Sequence, residues 1–343
     1  MIPFTYTDAG SIDDATAAID HDGVMAIAGG TTMVDLMKLN VLTPDRVVHV
    51  RGVLSDDVED VGDSIRVGAA CTMASLADHP VVRESMPVIR QSLILAATPQ
   101  IRNMATIAGN LMQRTRSTYF RHTDMDVDGP DGPRDDHSGH ADASQLAVLG
   151  NGGRRVALYP GDFAVPFVAL GGSVEVASRD GGRTIDAGDF YKTPTESFQY
   201  STDLRPGEVV THLRIPKSPA AKNSFYFKVR ERSSYAFALV SVAAGLAMDG
   251  DTISDAKIGL GGLGSVPWHS TAAEDALRGK PATDDVFAEA ARAAVADAEP
   301  PPGAEMKVPL ARRAVVRTLR ILRDRGPLGD QELFAMQHGR ESR

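Results

Sequence analysis

The chain has 343 residues, with 36 basic and 45 acidic side chains, a formal net charge of -9 and an apolar fraction of 43%. This balance supports two or three compact units with real cores, and it excludes nucleic acid or an anionic membrane surface as the primary partner. Cys71 is the single cysteine, so neither a disulfide framework nor a cysteine-ligated cluster can be built from this chain alone.

Met1–Tyr6 lacks a basic region leading into an apolar run, and nowhere do about 18 apolar residues follow one another. The expectation is a soluble, cytoplasmic protein, with co-export alongside a partner left open. Ser11-Ile12-Asp13-Asp14-Ala15 opens a small amphipathic helix, and Val24–Ala28 reads as a buried strand. That strand runs into Gly29-Gly30. Thr31 and Thr32 then stand where they can cap a helix carrying Met33, Leu36 and Met37 on one face, with Asp35 and Lys38 polar. A glycine pair often makes nothing more than a tight turn. At a helix start it also leaves N–H donors unpaired beside a positive dipole end, which suits a phosphate.

Arg46–Val50 and Ser64–Val67 read as short strands and Thr72 as the cap of a helix through Leu76, an α+β arrangement without a repeating βα unit. Cys71, between small residues and a cap, reads as a buried small hydrophobe. Ile89, Leu93, Ala96 and Ala97 mark a buried helical stripe that stops before Pro99. The stretch Thr98–Leu111 reads as a cofactor-binding loop: Ala105, Ala108 and Gly109 keep it thin, while Thr98, Thr106 and Asn110 supply polar groups. Arg102 reads as one half of an ion pair.

His122–Asp142 holds seven aspartates with glycines and prolines, the composition of a hydrated surface loop. Asp124-Met125-Asp126-Val127-Asp128-Gly129 matches the start of a calcium loop, with Asp135 at its twelfth position. Pro130, Pro133 and the lack of flanking helical patterns favour a solvated acidic loop, and no metal site is assigned. Beyond it come strands at Arg155–Leu158, Ser173–Ala177 and Val209–Ile215, with a short apolar helix over Phe163–Leu170. Phe225–Val229 and Ala236–Met248 are strand-like runs, the second turning at Asp249-Gly250-Asp251 into Ala256–Leu260 as an antiparallel meander. Helices follow at Ala272–Leu277, Asp285–Ala298 and along Leu310, Ala314, Ile321 and Leu322, whose arginines read as a solvated face. The tail from Gln331 reads as polar and frayed.

Ala28-Gly29-Gly30-Thr31 together with Gln100-Ile101-Arg102-Asn103-Met104-Ala105-Thr106-Ile107-Ala108-Gly109-Asn110 resembles the flavin-binding medium subunit of molybdenum hydroxylases, the xanthine dehydrogenase, aldehyde oxidoreductase and carbon monoxide dehydrogenase flavoprotein family. Gln113-Arg114-Thr115-Arg116, Tyr159-Pro160-Gly161-Asp162, Arg205-Pro206-Gly207-Glu208 and Phe225-Tyr226-Phe227-Lys228-Val229-Arg230-Glu231-Arg232 fit the same family in order. The resemblance implies an α+β fold: a two-subdomain FAD-binding unit of the p-cresol methylhydroxylase and vanillyl-alcohol oxidase type, then a C-terminal antiparallel sheet with helices. It implies subdomains at 1–57 and 58–218, an acidic insertion at 121–150, a C-terminal domain at 219–330 and a frayed tail at 331–343.

The resemblance further implies FAD, held by Ile27, Ala28, Gly29, Gly30, Thr31, Thr32, Met33, Val34 and Asp35 on one side and by Thr98, Thr106, Ala108, Gly109 and Asn110 on the other. Asp162 is implied to accept from a ribose or adenine group, Leu213 to meet the adenine end and Lys228 to offer a cation to the flavin pyrimidine edge. Tyr191, Tyr235 and Phe237 are stacking candidates left unassigned. No catalytic residue is implied. Electrons would arrive from a small [2Fe-2S] subunit, with substrate oxidised on a large molybdopterin subunit, and leave to an external acceptor. In the branch most like this chain, cysteines after Gln-Arg-Thr-Arg hold a [4Fe-4S] cluster. Here Ser117 follows, and one cysteine cannot supply four thiolates, so that cluster is expected to be absent. A stand-alone FAD oxidoreductase of the same fold is the alternative, as is an interaction subunit without FAD, since Ala108 replaces the family's usual glycine.

Overall fold

The computed structural model describes residues 1–117, 120–121, 128–129, 132–133, 143–152, 154–193 and 201–337. Parallel strands β1 (Thr5–Asp8) and β2 (Val24–Ile27) both pair with β3 (Arg46–His49), giving the order β1-β3-β2. The crossover from β1 is α1 (Ile12–Ile19), started by Ser11, whose hydroxyl accepts from Asp14 N at 3.0 Å. Helix α2 (Met33–Lys38) follows β2 directly. This small layer has its own core of Ala15, Val48, Val50 and Val209.

A second, antiparallel sheet is built from β4 (Val58–Asp60), β5 (Ser64–Gly68), β8 (Ser173–Ser178), β9 (Gly181–Asp186) and β10 (Val209–Pro216), in the order β4-β5-β10-β8-β9. A two-residue ladder joins β6 (Asp128–Gly129) to β7 (Gly132–Pro133). Helices α3 (Met73–Asp78), α4 (Pro80–Ser85) and α5 (Pro87–Ile94) follow β5; the latter two begin on proline, whose missing N–H costs nothing at a first helical position.

The C-terminal sheet runs β11 (Ser224–Val229), β12 (Val240–Asp249), β13 (Thr252–Gly261) and β14 (Trp268–His269), antiparallel throughout, and so forms the expected meander. Helices α8 (Ala164–Ala169), α9 (Ala187–Phe190), α10 (Pro219–Lys222), α11 (Thr271–Leu277), α12 (Asp284–Ala293), α13 (Lys307–Arg325) and α14 (Asp330–Gln337) complete the α+β fold. β12 is buried without alternation from Val240 to Ala247, because α5, α8 and α13 all pack on it. One core cluster runs from Ile65 to Met336 and takes in both antiparallel sheets. Among the described residues no helix is long and apolar enough to cross a membrane.

The structure corrects several expectations. β12 starts at Val240 rather than Ala236, since the chain makes a loop through Tyr235 at φ 47°. Arg155–Leu158 is not a strand; only a single bridge joins Ala157 to Leu146. The 121–150 insertion ends in core, not solvent: Leu146 to Leu149 are buried, and Val148 N and Leu149 N both donate to Leu263 O at 2.7 and 3.0 Å. The tail expected to fray from Gln331 is helix α14 as far as Gln337, because Leu333 and Met336 share a face and bury it. Most of the acidic stretch, and the calcium-like motif apart from Asp128–Gly129, lies outside the described residues.

Candidate functional site

The loop between β2 and α2 is open backbone. Gly30 sits at φ 70°, a conformation that favours glycine. At Gly29 a Cβ would lie 2.1 Å from Met104 O, so only a hydrogen fits where this loop crosses the later chain. Thr32 occupies the cap position of α2 without making a side-chain cap bond. The N–H groups of Gly29, Gly30, Thr31 and Thr32 donate to no protein acceptor among the described residues.

Thr98–Leu111 behaves differently. The expected loop is two short helices, α6 (Pro99–Met104) and α7 (Ile107–Leu111), each opened by a threonine cap. Thr98 Oγ1 accepts from Ile101 N and Thr106 Oγ1 from Gly109 N, both at 3.3 Å. Ile107 N donates to Cys71 O at 2.8 Å, Ala108 N to Ala69 O at 3.4 Å and Asn110 N to Thr106 O at 2.8 Å. The backbone donors of Ile101, Arg102, Ala105 and Ile107 to Asn110 are therefore engaged by protein. Among the described residues Arg102 has no ion-pair partner: its Nη1 donates to Ala96 O at 2.7 Å, and burial lowers its pKa. Cys71 is fully buried, which pushes its thiol up to about 12.

One polar atom of the stretch stays open. Asn110 Oδ1 is buried without a hydrogen-bond partner, while its Nδ2 donates to Met73 Sδ at 3.4 Å. The end of α7 is fixed by Tyr159 and Tyr191, whose hydroxyls donate to Leu111 O at 2.9 and 3.2 Å. Burial raises both phenols, keeping them neutral donors.

Two cavities meet at Thr31 and Thr32. The smaller, about 280 Å³, is lined by Ile27 to Met33, Thr106, Ala108 and Gly109, with Val209 and Val210 opposite. The larger, about 540 Å³, takes in Thr31, Thr32, Asn110 and Asp162. Gln113, Arg116 and the 231–239 loop complete it. Val34, Asp35, Thr98 and Leu213 line neither. Leu213 is fully buried inside β10, paired with Val67 and Val174. Asp35 binds Arg116 at 3.1 Å and also pairs with Arg121, tying α2 to the chain beyond α7.

Behind the larger cavity lies a buried polar group. Lys228 Nζ donates to Asp162 Oδ2 at 2.8 Å and to Leu95 O at 3.2 Å, and Tyr226 OH donates to Asp162 Oδ1 at 2.7 Å. Burial pushes the Tyr226 phenol well above its usual range, so it stays a donor. Both oxygens of Asp162 thus already accept from protein, and this carboxylate lines a different cavity from the one beside Val209 and Val210. Lys228 itself is screened from the larger cavity by Asp162 and lines a separate recess.

Sequence reasoning missed the 231–239 loop as a wall. Tyr235 and Phe237, 56% and 45% exposed, stand there, whereas Tyr191 is buried elsewhere. It also missed Glu208 in the smaller cavity, held by Arg183 Nε at 2.7 Å and Nη2 at 2.9 Å. The Arg-Pro-Gly-Glu turn was its signal. Among the described residues no group of three or more His, Cys, Asp or Glu is placed to hold a metal ion.

Comparison with known proteins matches residues 2–218 to the FAD binding domain in molybdopterin dehydrogenase and residues 225–321 to the CO dehydrogenase flavoprotein C-terminal domain. The chain is 38% identical over 285 residues to the aldehyde oxidoreductase FAD-binding subunit PaoB of Escherichia coli K12, covering 81% of this chain and 86% of that one. It is 29% identical over 334 residues to the carbon monoxide dehydrogenase medium chain of Afipia carboxidovorans, covering 92% and 98%. Among solved structures, reconstituted CO dehydrogenase from Oligotropha carboxidovorans superposes with a TM-score of 0.72 at 26% identity, over 93% of this chain and 98% of that chain.

Proposed function

The chain belongs to the FAD-binding medium subunits of the molybdenum hydroxylase family, and from that premise we propose that it holds FAD across its two cavities and relays electrons from an iron-sulfur partner to an external acceptor. The observation that carries this reading is the row of open N–H donors from Gly29 to Thr32 at the junction of the cavities. A diphosphate needs several donors and tolerates no intruding side chain, and this loop offers both conditions. Thr31 and Thr32 add free hydroxyls.

The remaining residues divide the labour. Ile27 to Met33, with Thr106, Ala108 and Gly109, shape an apolar slot beside the loop, suited to one flat end of a dinucleotide. In the larger cavity Asn110 Oδ1 awaits a donor, and Asp162 faces it with lone pairs left over from Lys228 and Tyr226. When bound, FAD supplies a redox carrier that can exchange electrons singly or in pairs. Lys228 then acts through Asp162, balancing the negative carboxylate so that the cavity wall does not oppose reduction. Substrate oxidation then falls to a large molybdopterin subunit, with electrons delivered through a small [2Fe-2S] subunit, as membership of this family supports.

The test is to purify the chain from its native host and record both a visible spectrum and the accompanying subunits. Stoichiometric flavin with two partner subunits is the expected result. A yellow protein that reduces an acceptor unaided would return a stand-alone oxidoreductase, and a colourless one that FAD fails to reconstitute would overturn the reading.

A further inference from the structure

Next to the larger cavity, and sharing Glu231 and Arg232 with it, is a recess of about 330 Å³ whose charged lining is chiefly Arg230, Arg232 and Arg317. Half-buried arginines elsewhere in this chain have hydrogen-bonded partners: Arg66 binds Glu175 at 2.9 Å, Arg90 binds Asp330 at 2.6 Å, Arg183 binds Glu208 at 2.7 Å, and Arg102 donates to Ala96 O at 2.7 Å. Arg230 does not. Its Nε is buried without a hydrogen-bond partner, and among the described residues no carboxylate lies within ion-pair distance of it. The nearest acid to influence it is Asp162, whose two oxygens are held by Lys228 and Tyr226.

Burial accordingly lowers the Arg230 pKa. Arg232 points its Nε at Tyr235 O, 3.0 Å away, and stacks 5.6 Å from the Tyr235 ring, with no carboxylate partner among the described residues. Arg317 lies 5.4 Å from the Phe227 ring on the opposite side. A desolvated guanidinium with an unused donor is costly unless something anionic completes it, and planar N–H forks match oxyanions. Glu231 at the rim offsets part of the positive charge.

We propose that this recess binds an oxyanion, a phosphate, sulfonate or carboxylate group carried by the molecule that accepts electrons from the chain. The shared wall at Glu231 and Arg232 sets such an anchor beside the mouth of the larger cavity, so an acceptor held by its anionic end presents its reducible end there. The assignment to an acceptor rests on the proposed function; the oxyanion site does not.

Two measurements test it. Titration calorimetry with inorganic phosphate, on the full chain and on the complex with its partners at ionic strength fixed by chloride, should show saturable binding that Arg230→Gln weakens about tenfold or more. Arg232→Gln, on an exposed side chain, guards against a folding defect and should weaken it in the same direction. Reoxidation of the reduced protein is then followed with naphthoquinone and with naphthoquinone sulfonate. Each quinone takes two electrons and two protons from reduced flavin, giving hydroquinone and oxidised flavin. Arg230→Gln should raise KM for the sulfonate about tenfold, leaving kcat and the KM of the neutral quinone unchanged. Absence of phosphate binding, or binding that neither variant alters, overturns the oxyanion site. Binding to the chain but not to the complex assigns the recess to a partner side chain and overturns the proposal. Phosphate binding with no distinction between the quinones overturns the acceptor. A colourless protein would sink the flavin reading while leaving the phosphate titration interpretable.

Discussion

The two glycine- and threonine-rich stretches, Ala28–Thr32 and Thr98–Leu111, are alike in composition and opposite in chemistry. In the first, the N–H groups of Gly29 to Thr32 meet no acceptor among the described residues, and Thr32 makes no side-chain cap bond. In the second, threonines cap two helices and the donors of α7 end on Cys71, Ala69 and Thr106. Small polar residues near a helix start are thus compatible with an open cradle or a saturated brace. What decides between them is whether a neighbouring element already supplies acceptors. Here the turn after β5 supplies them to α7, through Ala69 O and Cys71 O, while the Gly29 loop passes Met104 too closely for a side chain.

The contrast can be broken or sharpened by substitution. The largest effect is expected at the saturated floor behind α7: Lys228→Met leaves Asp162 buried without its cation and should cost about 3–5 kcal/mol of stability in denaturant unfolding. A loss below about 1 kcal/mol would mean that Asp162 is relieved by water, and the floor is not saturated after all. Gly29→Ala drives a methyl into the Met104 carbonyl and should cost about 1–3 kcal/mol, with bound flavin falling sharply in the absorbance ratio. Thr106→Ala removes a cap, so about 1 kcal/mol of stability should go while flavin content holds. Flavin loss at full stability there would give the second stretch a cradle role. Thr31→Ala is the mirror case: stability within about 0.5 kcal/mol, but FAD affinity weakened about two- to tenfold in equilibrium dialysis.

The first stretch was legible in the sequence because strand, glycine pair and helix succeed one another locally. The caps of the second were legible too: Thr98 before Pro99 is an N-cap followed by a first-turn proline, a signal that reading the stretch as a loop passed over. The buried group of Asp162, Tyr226 and Lys228 was not, since its members lie 64 and 66 positions apart and only folding pairs them. Resemblance named Asp162 and Lys228, but it could not tell that each uses the other. Tyr235 was hidden for another reason: an aromatic at φ 47° breaks a strand that its own propensity favours. The Leu333 and Met336 spacing that buries α14 was diluted by polar neighbours.

Lys307, at the start of α13, is wholly enclosed and donates to Leu146 O at 3.0 Å and Gly262 O at 2.7 Å. Further along, Gln91 Nε2 reaches Leu328 O at 2.9 Å, joining α5 to the turn between α13 and α14. These ties set an order of events at the ribosome. The segment around Leu146 and the α5 layer beneath the larger cavity cannot settle until residues more than 160 positions later have emerged. A fragment ending near residue 218 lacks these ties and should be an aggregation-prone, flavin-free chain by solubility and absorbance, even though it carries every residue of the Gly29 loop.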